Sequence, residues 1–516
     1  MSTTKIRLIR GIDGLLALAV TALLFGTALA FGGVVWWARP LVSVLAAGIA
    51  ATWLVRVAVV GRFAVLKSPA VPLCLLAVGL GLAQLVPLPA SVAGRISARA
   101  LATNALGVIP DRVRADDPNF AIPEAYATRS PLSLDRPATL RWVVAALGCL
   151  ATFWVATHFA DRLQHVRLIW GCVVAAFFLN VVLGAVQVAG GVNGLYGFIT
   201  PGAGPAWAPN LDDLMASPVP SVLRAVGDRQ PDRPTLIVAR AMPSFQFGSM
   251  VGGPGAYLAL ASLAIPLAIG LTLQSISPRG GRDGMLARVR DSGRGSQVVL
   301  TLALTLAGTA LAGMMAGKRA SVPFGVGIVV VGLLGSWSSG VRKTGWALTV
   351  LLGLALAGGV AIHEVTAPEV VPRVSWAEAK QTWRESWAIF RDFPLVGTGL
   401  GTFATVHPYY KAGDVEPNSA RSSVAQWAVE AGAVGLALAG LLAAWALARL
   451  PGAVARVGTA DRALCFGLVG SLAGFALFSA IHWTVELPAV ALAVAAVAGT
   501  ANRWLAGGTD LFVEHG

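Results

Sequence analysis

Apolar runs of about 18 to 23 residues recur along the chain, set apart by polar stretches of very unequal length. They fall at 14–31, 41–60, 70–86, 141–158, 168–190, 255–274, 297–316, 320–338, 345–363, 425–447, 463–481 and 485–502. A helix of that length crosses a hydrocarbon core of about 30 Å, so the pattern predicts an all-α, polytopic integral membrane protein of about 12 transmembrane helices. The first run ends in ALAFGG, which looks like a leader cleavage site. Eleven more runs follow, which favours an uncleaved first helix.

Composition agrees with the pattern. The 516 residues are 56% hydrophobic and 12% charged, with a mean hydropathy of +0.71. That is about half the charge of a soluble domain. The net charge of +14 raises the question of nucleic acid, but its placement answers it. Lys5, Arg7 and Arg10 precede the first run; Arg56, Arg62 and Lys67 follow the second; Arg162 and Arg167 follow the fourth. Arg279, Arg282, Arg288, Arg290 and Arg294 follow the sixth, Arg342 and Lys343 the eighth, and Arg449, Arg456 and Arg462 the tenth. With the amino terminus inside, all of these lie on one side, the positive-inside pattern. The basic excess is a topology signal, both termini are expected in the cytoplasm, and nucleic acid is excluded as a partner.

Three long segments then face outward: 87–140, 191–254 and 364–424. The expected organisation is a membrane domain over 1–363 with about nine helices and two outer loops. An extracytoplasmic segment at 364–424, largely helical, comes next, and a second membrane portion at 425–516 contains about three helices. Between Trp376 and Phe393 the residues Trp376, Ala379, Trp383, Trp387 and Phe390 recur at three and four, with Lys380, Arg384, Glu385 and Arg391 mostly on the other flank. That periodicity predicts an amphipathic helix. One reading lays it on the membrane with tryptophans at the headgroups; another adds a phosphate at its basic face.

The same segment contains FRDFPLVGTGLGTF, with glycines at 397, 399 and 401. Glycine-rich turns can cradle a nucleotide phosphate, but this one is GxGxG, follows a helix, and has no Lys-Ser/Thr pair after it. Its expected role is a tight turn after Pro394 that runs close to the membrane domain.

Charges beside the membrane narrow the search. Lys318 and Arg319 in GMMAGKRASVPF separate two runs with almost no loop, so they must snorkel or hold an anion. Arginine suits phosphate because its planar fork binds two oxygens. Arg421 precedes the tenth run, and His482 and Glu486 lie between the last two; all map to the outer side. Cys74, Cys149, Cys172 and Cys465 sit in apolar runs without metal-type spacing, and are expected as core thiols.

These stretches together resemble the O-antigen ligase and polysaccharide polymerase family of bacterial membrane glycosyltransferases. The resemblance rests on LVPLPASVAGRISARA, PLSLDRPATLRW, GAYLALASLAIPLAIGL, AGKRAS, FRDFPLVGTGLGTF, VEAGAVG and HWTVELPAVALAVAAVAG, in that order. It implies a C-type glycosyltransferase fold in the bacterial cytoplasmic (inner) membrane, with the active face outside. A glycan would pass by an inverting transfer from a polyprenyl diphosphate carrier to a glycan or lipid acceptor hydroxyl, without metal or cofactor. By resemblance Arg319 and Lys318 would hold the diphosphate, with Lys380 a second cation. Two departures stand out. Counting back from Gly432 and Gly435 puts Arg421 and Ser422 where the family has a histidine, and VGGPGAYL replaces an Asn/His stretch. Arginine cannot serve as a base but can bind phosphate. The base would come from His482, Glu416, Glu430 or His407, with His482 first. A non-catalytic member that binds lipid-linked glycan, and a transporter, are the alternative readings.

Overall fold

The computed structural model describes residues 3–33, 37–61, 66–106, 129–190, 249, 253–276, 295–336, 342–366, 376–412, 419–457, 462–482 and 487–507. Among them are fourteen helices: α1 (Thr3–Leu29), α2 (Ala38–Val60), α3 (Ala70–Leu85), α4 (Ala90–Leu106), α5 (Arg136–Phe159), α6 (Leu163–Gly190) and α7 (Gly253–Ile276). They continue with α8 (Gly295–Ser336), α9 (Arg342–Thr366), α10 (Trp376–Asp392), α11 (Phe403–Val406), α12 (Ser423–Ala455), α13 (Arg462–Ile481) and α14 (Pro488–Leu505). Eight of these are long and apolar enough to cross a membrane, and Ala70–Leu85 and Trp346–Ile362 are shorter apolar helices. The architecture is that of an all-α, multi-pass membrane protein.

Each apolar run of the sequence corresponds to a helix, with one difference. The runs 297–316 and 320–338 form a single helix, α8, of 42 residues. Lys318 and Arg319 therefore lie inside a helix and not in a turn between two spans. The stretch AGKRAS offers good helix formers at its centre and no left-handed stop after Arg319, and the helix continues through Pro323, which has no N–H for the Arg319 carbonyl. The outer loop 191–254 lies, but for Ser249 and the start of α7, outside the described residues.

Helix α7 is the centre of the bundle, with Tyr257, Ala259, Leu263 and Leu267 fully buried. It meets α13 through small residues: a Cβ on Gly270 would come within 2.9 Å of the Ala463 carbonyl. Close backbone approach of this kind drives helix association where lipid removes the hydrophobic gain. Similarly, α14 crosses α5 at Gly499, where a Cβ would lie 2.6 Å from the Phe153 carbonyl. Buried polar groups there find partners: Trp170 Nε1 donates to Thr500 (3.1 Å), and Tyr257 donates to the Gly308 carbonyl (2.9 Å). The four cysteines are free thiols.

Ion pairs define one end of the bundle. Arg56, on α2, binds Asp13 on α1 (2.6 Å) and Asp161 in the α5–α6 turn (3.4 Å), and Asp161 in turn binds His165. Arg167 donates to Gln274 at the end of α7 (3.3 Å). These belong to the loops whose basic residues share one side in the sequence pattern. At the opposite end, Leu88–Pro89 pairs with Arg129–Ser130 as a two-residue antiparallel ladder. Asp135 caps α5 by accepting from the Ala138 N–H at 2.9 Å, an N-terminal cap followed at once by proline.

Candidate functional site

The glycine run after α10 has positive φ at Gly397 (72°), Gly399 (113°) and Gly401 (79°). Helix α12 is broken opposite it, at Gly432, with φ 63° and ψ −159°. The two breaks fit into each other. A Cβ on Gly397 would stand 2.3 Å from the Glu430 carbonyl carbon, and one on Gly432 would stand 2.4 Å from the Leu395 oxygen. The amides of Ala433 and Val434 donate to Pro394 (2.8 Å) and Leu395 (3.1 Å), replacing the helix bonds lost at the break. As expected, the glycines turn the chain tightly against a membrane helix.

The loop does cradle an anion, and the anion belongs to the chain. Glu430, buried to 2% exposure, accepts from the Gly401 N–H (2.8 Å), the Phe403 N–H (3.1 Å) and the Gln426 amide (2.5 Å). Gln84, at the end of α3, ties the same knot. Its amide donates to Val396 (2.7 Å) and Glu430 (3.0 Å) carbonyls, while its oxygen accepts from Leu400 N–H (3.0 Å). Glu430, one of the candidate bases, is thus a positioning residue. His407 is similar: it is fully buried, stacks on Phe403, and its Nε2 is 2.8 Å from Glu385. Burial alone would raise the Glu385 carboxyl, but the Ala412 N–H, Gln381 and His407 outweigh it and hold it below the ordinary range. Glu416 and Glu486 lie outside the described residues.

Arg421 and His482, from separate parts of the sequence, come together. Arg421 is the single described non-glycine residue with positive φ (54°). Its flanks impose this: Ala420 N–H is fixed by Gln426 (2.7 Å), and Ser422 must turn to cap α12 through the Ala425 N–H (3.3 Å). Such a backbone costs on the order of 1–3 kcal/mol and persists where its surroundings over-determine it. The Arg421 Nη1 atom is buried with no hydrogen-bond partner among the described residues, and lies 3.7 Å from Glu378 on α10. Burial lowers its pKa and Glu378 opposes that. His482 follows α13 with its ring stacked on Phe478 at 4.9 Å. Burial, and then the charge of Arg421, push it down to about 4, so it is neutral at pH 7. Ser423 and Ser479 are hydrogen-bonded beside them, joining the start of α12 to the end of α13.

The arrangement is a buried cation with one unused donor, a carboxylate that balances it, and a neutral imidazole whose basicity the cation suppresses. Chemically it can receive an anion and take up a proton. Among the described residues no group of three or more His, Cys, Asp or Glu could hold a metal ion.

Lys380 is elsewhere. It is exposed on α10, about 160° around the helix from Glu378 at 100° per residue. Of Lys318 and Arg319 the structure describes the backbone in α8, so their side chains are outside this account. Trp387, from the stripe read as lying at the headgroups, is 57% exposed, while Ala379, Thr382, Glu385, Ser386, Ile389 and Phe393 are buried. The inner face is set by hydrogen-bonding partners. Glu378, Glu385 and Asp392 recur every seven residues and each is bonded inward, Asp392 to Arg99 (3.1 Å) and Tyr410 (2.5 Å). That spacing is visible in the sequence and identifies Glu378, which sequence reasoning passed over along with Gln84. No protein-family model matches the chain, and no curated protein matches it either.

Proposed function

We propose that the chain is a membrane glycosyltransferase of the O-antigen ligase or polymerase type, working at the outer face of the bacterial cytoplasmic membrane. It moves a glycan from a polyprenyl diphosphate to a hydroxyl of a glycan or lipid acceptor. The observation that carries this reading is the Arg421–Glu378–His482 cluster, with a buried guanidinium nitrogen that has no hydrogen bond among the described residues. A buried donor left unsatisfied costs about 1–3 kcal/mol, which an incoming phosphate oxygen recovers.

In this reading Arg421 takes a diphosphate oxygen and stabilises the charge that develops as the leaving group departs. The acceptor oxygen attacks the anomeric carbon and the carbon–oxygen bond to the diphosphate breaks. The bonding pair leaves with the diphosphate, and the acceptor proton passes to His482. An anion on Arg421 offsets the positive charge that depresses the imidazole, so donor binding itself strengthens the base. Lys380, on the far side of α10, is not part of this set.

A second reading is a non-catalytic protein that binds lipid-linked glycan. It is favoured by one observation, that arginine stands where the resemblance expects a histidine. The test is turnover of a synthetic polyprenyl diphosphate glycan by the purified protein and by Arg421→Ala, Arg319→Ala and His482→Gln. Loss of about 100-fold or more with Arg421→Ala is expected if one charge-assisted contact to the transition state of about 2.7 kcal/mol is removed. Donor binding without turnover in the wild type leaves the second reading standing. Turnover undiminished in both Arg421→Ala and His482→Gln removes the cluster from the mechanism.

A further inference from the structure

The same helix that supplies Glu378 segregates its charges. The three acids of α10 turn inward, Glu378 to Arg421, Glu385 to His407, and Asp392 to Arg99 and Tyr410. Its cations do the reverse: Lys380, Arg384 and Arg391 are all exposed. Trp387 stands exposed among them, stacked on Phe390 with ring centroids 5.2 Å apart. On a helical wheel Lys380, Trp387, Arg391 and Arg384 fall within about 60° of one another. One face of a helix therefore carries three positive charges and an indole, with every acid of the helix removed from it.

Directly after α10, the Leu395 carbonyl accepts from the Val434 N–H at 3.1 Å. Val434 lies within the tenth apolar run, so Leu395, itself 50% exposed, sits against a helix long and apolar enough to cross a membrane. Val434, Leu395 and Trp387 are all exposed large apolar residues, at 42%, 50% and 57%. Indoles favour the headgroup level, and lysine and arginine favour anionic lipid.

We propose that the outward face of α10, formed by Lys380, Arg384, Arg391 and Trp387, docks on the headgroups of anionic phospholipid in the adjoining leaflet. The contact steadies α10 and hence the Glu378 carboxylate, while the phospholipid is bound apart from the Arg421 cluster. It stands whether or not the protein transfers a glycan.

The test uses the full chain in lipid nanodiscs, with Cys74, Cys149, Cys172 and Cys465 replaced and a fluorophore placed at Trp387→Cys. Discs are made of phosphatidylcholine, with or without phosphatidylglycerol, and lipids spin-labelled at the headgroup serve as quenchers. The expected result is at least a twofold gain in lipid quenching when phosphatidylglycerol is present. That gain should vanish in Lys380→Gln/Arg384→Gln/Arg391→Gln. Three results overturn the proposal: quenching by aqueous iodide with none by lipid, equal lipid quenching in both discs, or a response that appears only on adding a polyprenyl diphosphate. The last would assign the face to the donor. Size-exclusion profiles of the surface variants confirm that each is folded.

Discussion

Arg421 is held in a left-handed conformation that a glycine would adopt without strain, and its Nη1 has an ion pair with Glu378 at 3.7 Å but no hydrogen bond among the described residues. Two separate costs at one residue are what a site tuned for a ligand shows, since a purely structural arginine has no reason to carry both. Its effect on His482 makes a prediction. The imidazole is held at about 4 in the folded chain, against an ordinary value of about 6.5. Between these two values the unfolded chain binds a proton that the folded one refuses. Folding stability is therefore undiminished above about pH 6.5 and falls as the pH drops towards 4. Thermal unfolding in detergent should show that fall, and His482→Gln should flatten it in that window alone. Arg421→Gln should move the imidazole upward and shrink the effect. A wild-type profile already flat between pH 4 and 6.5 would show that His482 does not feel its surroundings in this way.

At the scale of elements, the knot between the glycine loop and broken α12 holds the cluster in place. Ala420 and Ser422, on either side of Arg421, are bonded to Gln426, Gln426 also binds Glu430, and Glu430 pins Gly401 and Phe403. Gly432→Ala should fail to give folded, monodisperse protein, because its Cβ would meet the Leu395 carbonyl at 2.4 Å on a backbone that disfavours side chains. Gly440→Ala, in the same helix with nothing within 4 Å, should be neutral or slightly stabilising by helix propensity. Equal yield and equal melting of the two variants would contradict the interlock. The glycine turn was legible in the sequence because φ > 0 leaves a compositional mark. The partner of that turn was not, since the break at Gly432 lies inside an uninterrupted apolar run. The inner face of α10 was not legible from its aromatic residues. Near a membrane, tryptophan does not mark the interior, whereas Glu378, Glu385 and Asp392 at seven-residue spacing do once each has an inward partner. Arg421 and His482 each stand out in the sequence as charged or titratable residues beside apolar runs, but that they meet depends on how α12 and α13 pack.

The whole molecule sets a parity condition on the chain between α7 and α10. Gln274, at the end of α7, is bonded to Arg167, at the end of the bundle where Arg56 joins Asp13 and Asp161. The loop after α10 is bonded to Gln84, at the other end. The chain from 277 to 375 must therefore cross the bundle an odd number of times. Three crossings, at 297–316, 320–338 and 345–363, satisfy the condition. A continuous α8 of about 63 Å crosses once, but α9, lying antiparallel along its first half, runs back across the bundle and makes the count even. That pairing is close: a Cβ on Gly359 would reach the Ala310 carbonyl, and one on Gly313 would stand 2.3 Å from that of Leu356. The two arrangements put Lys318 and Arg319 in different places, at a membrane-surface turn or midway along a rod. Spin labels at Val299 and Val329, both exposed, distinguish them by pulsed electron resonance. Thirty residues of unbroken helix separate the labelled backbones by about 45 Å. A hairpin at Lys318 folds the second label back along the first and cuts the separation to about 20 Å. The structure predicts the longer distance. Finding the shorter one would restore the outer turn, and would return Lys318 and Arg319 to the face of the bundle where Arg421 waits.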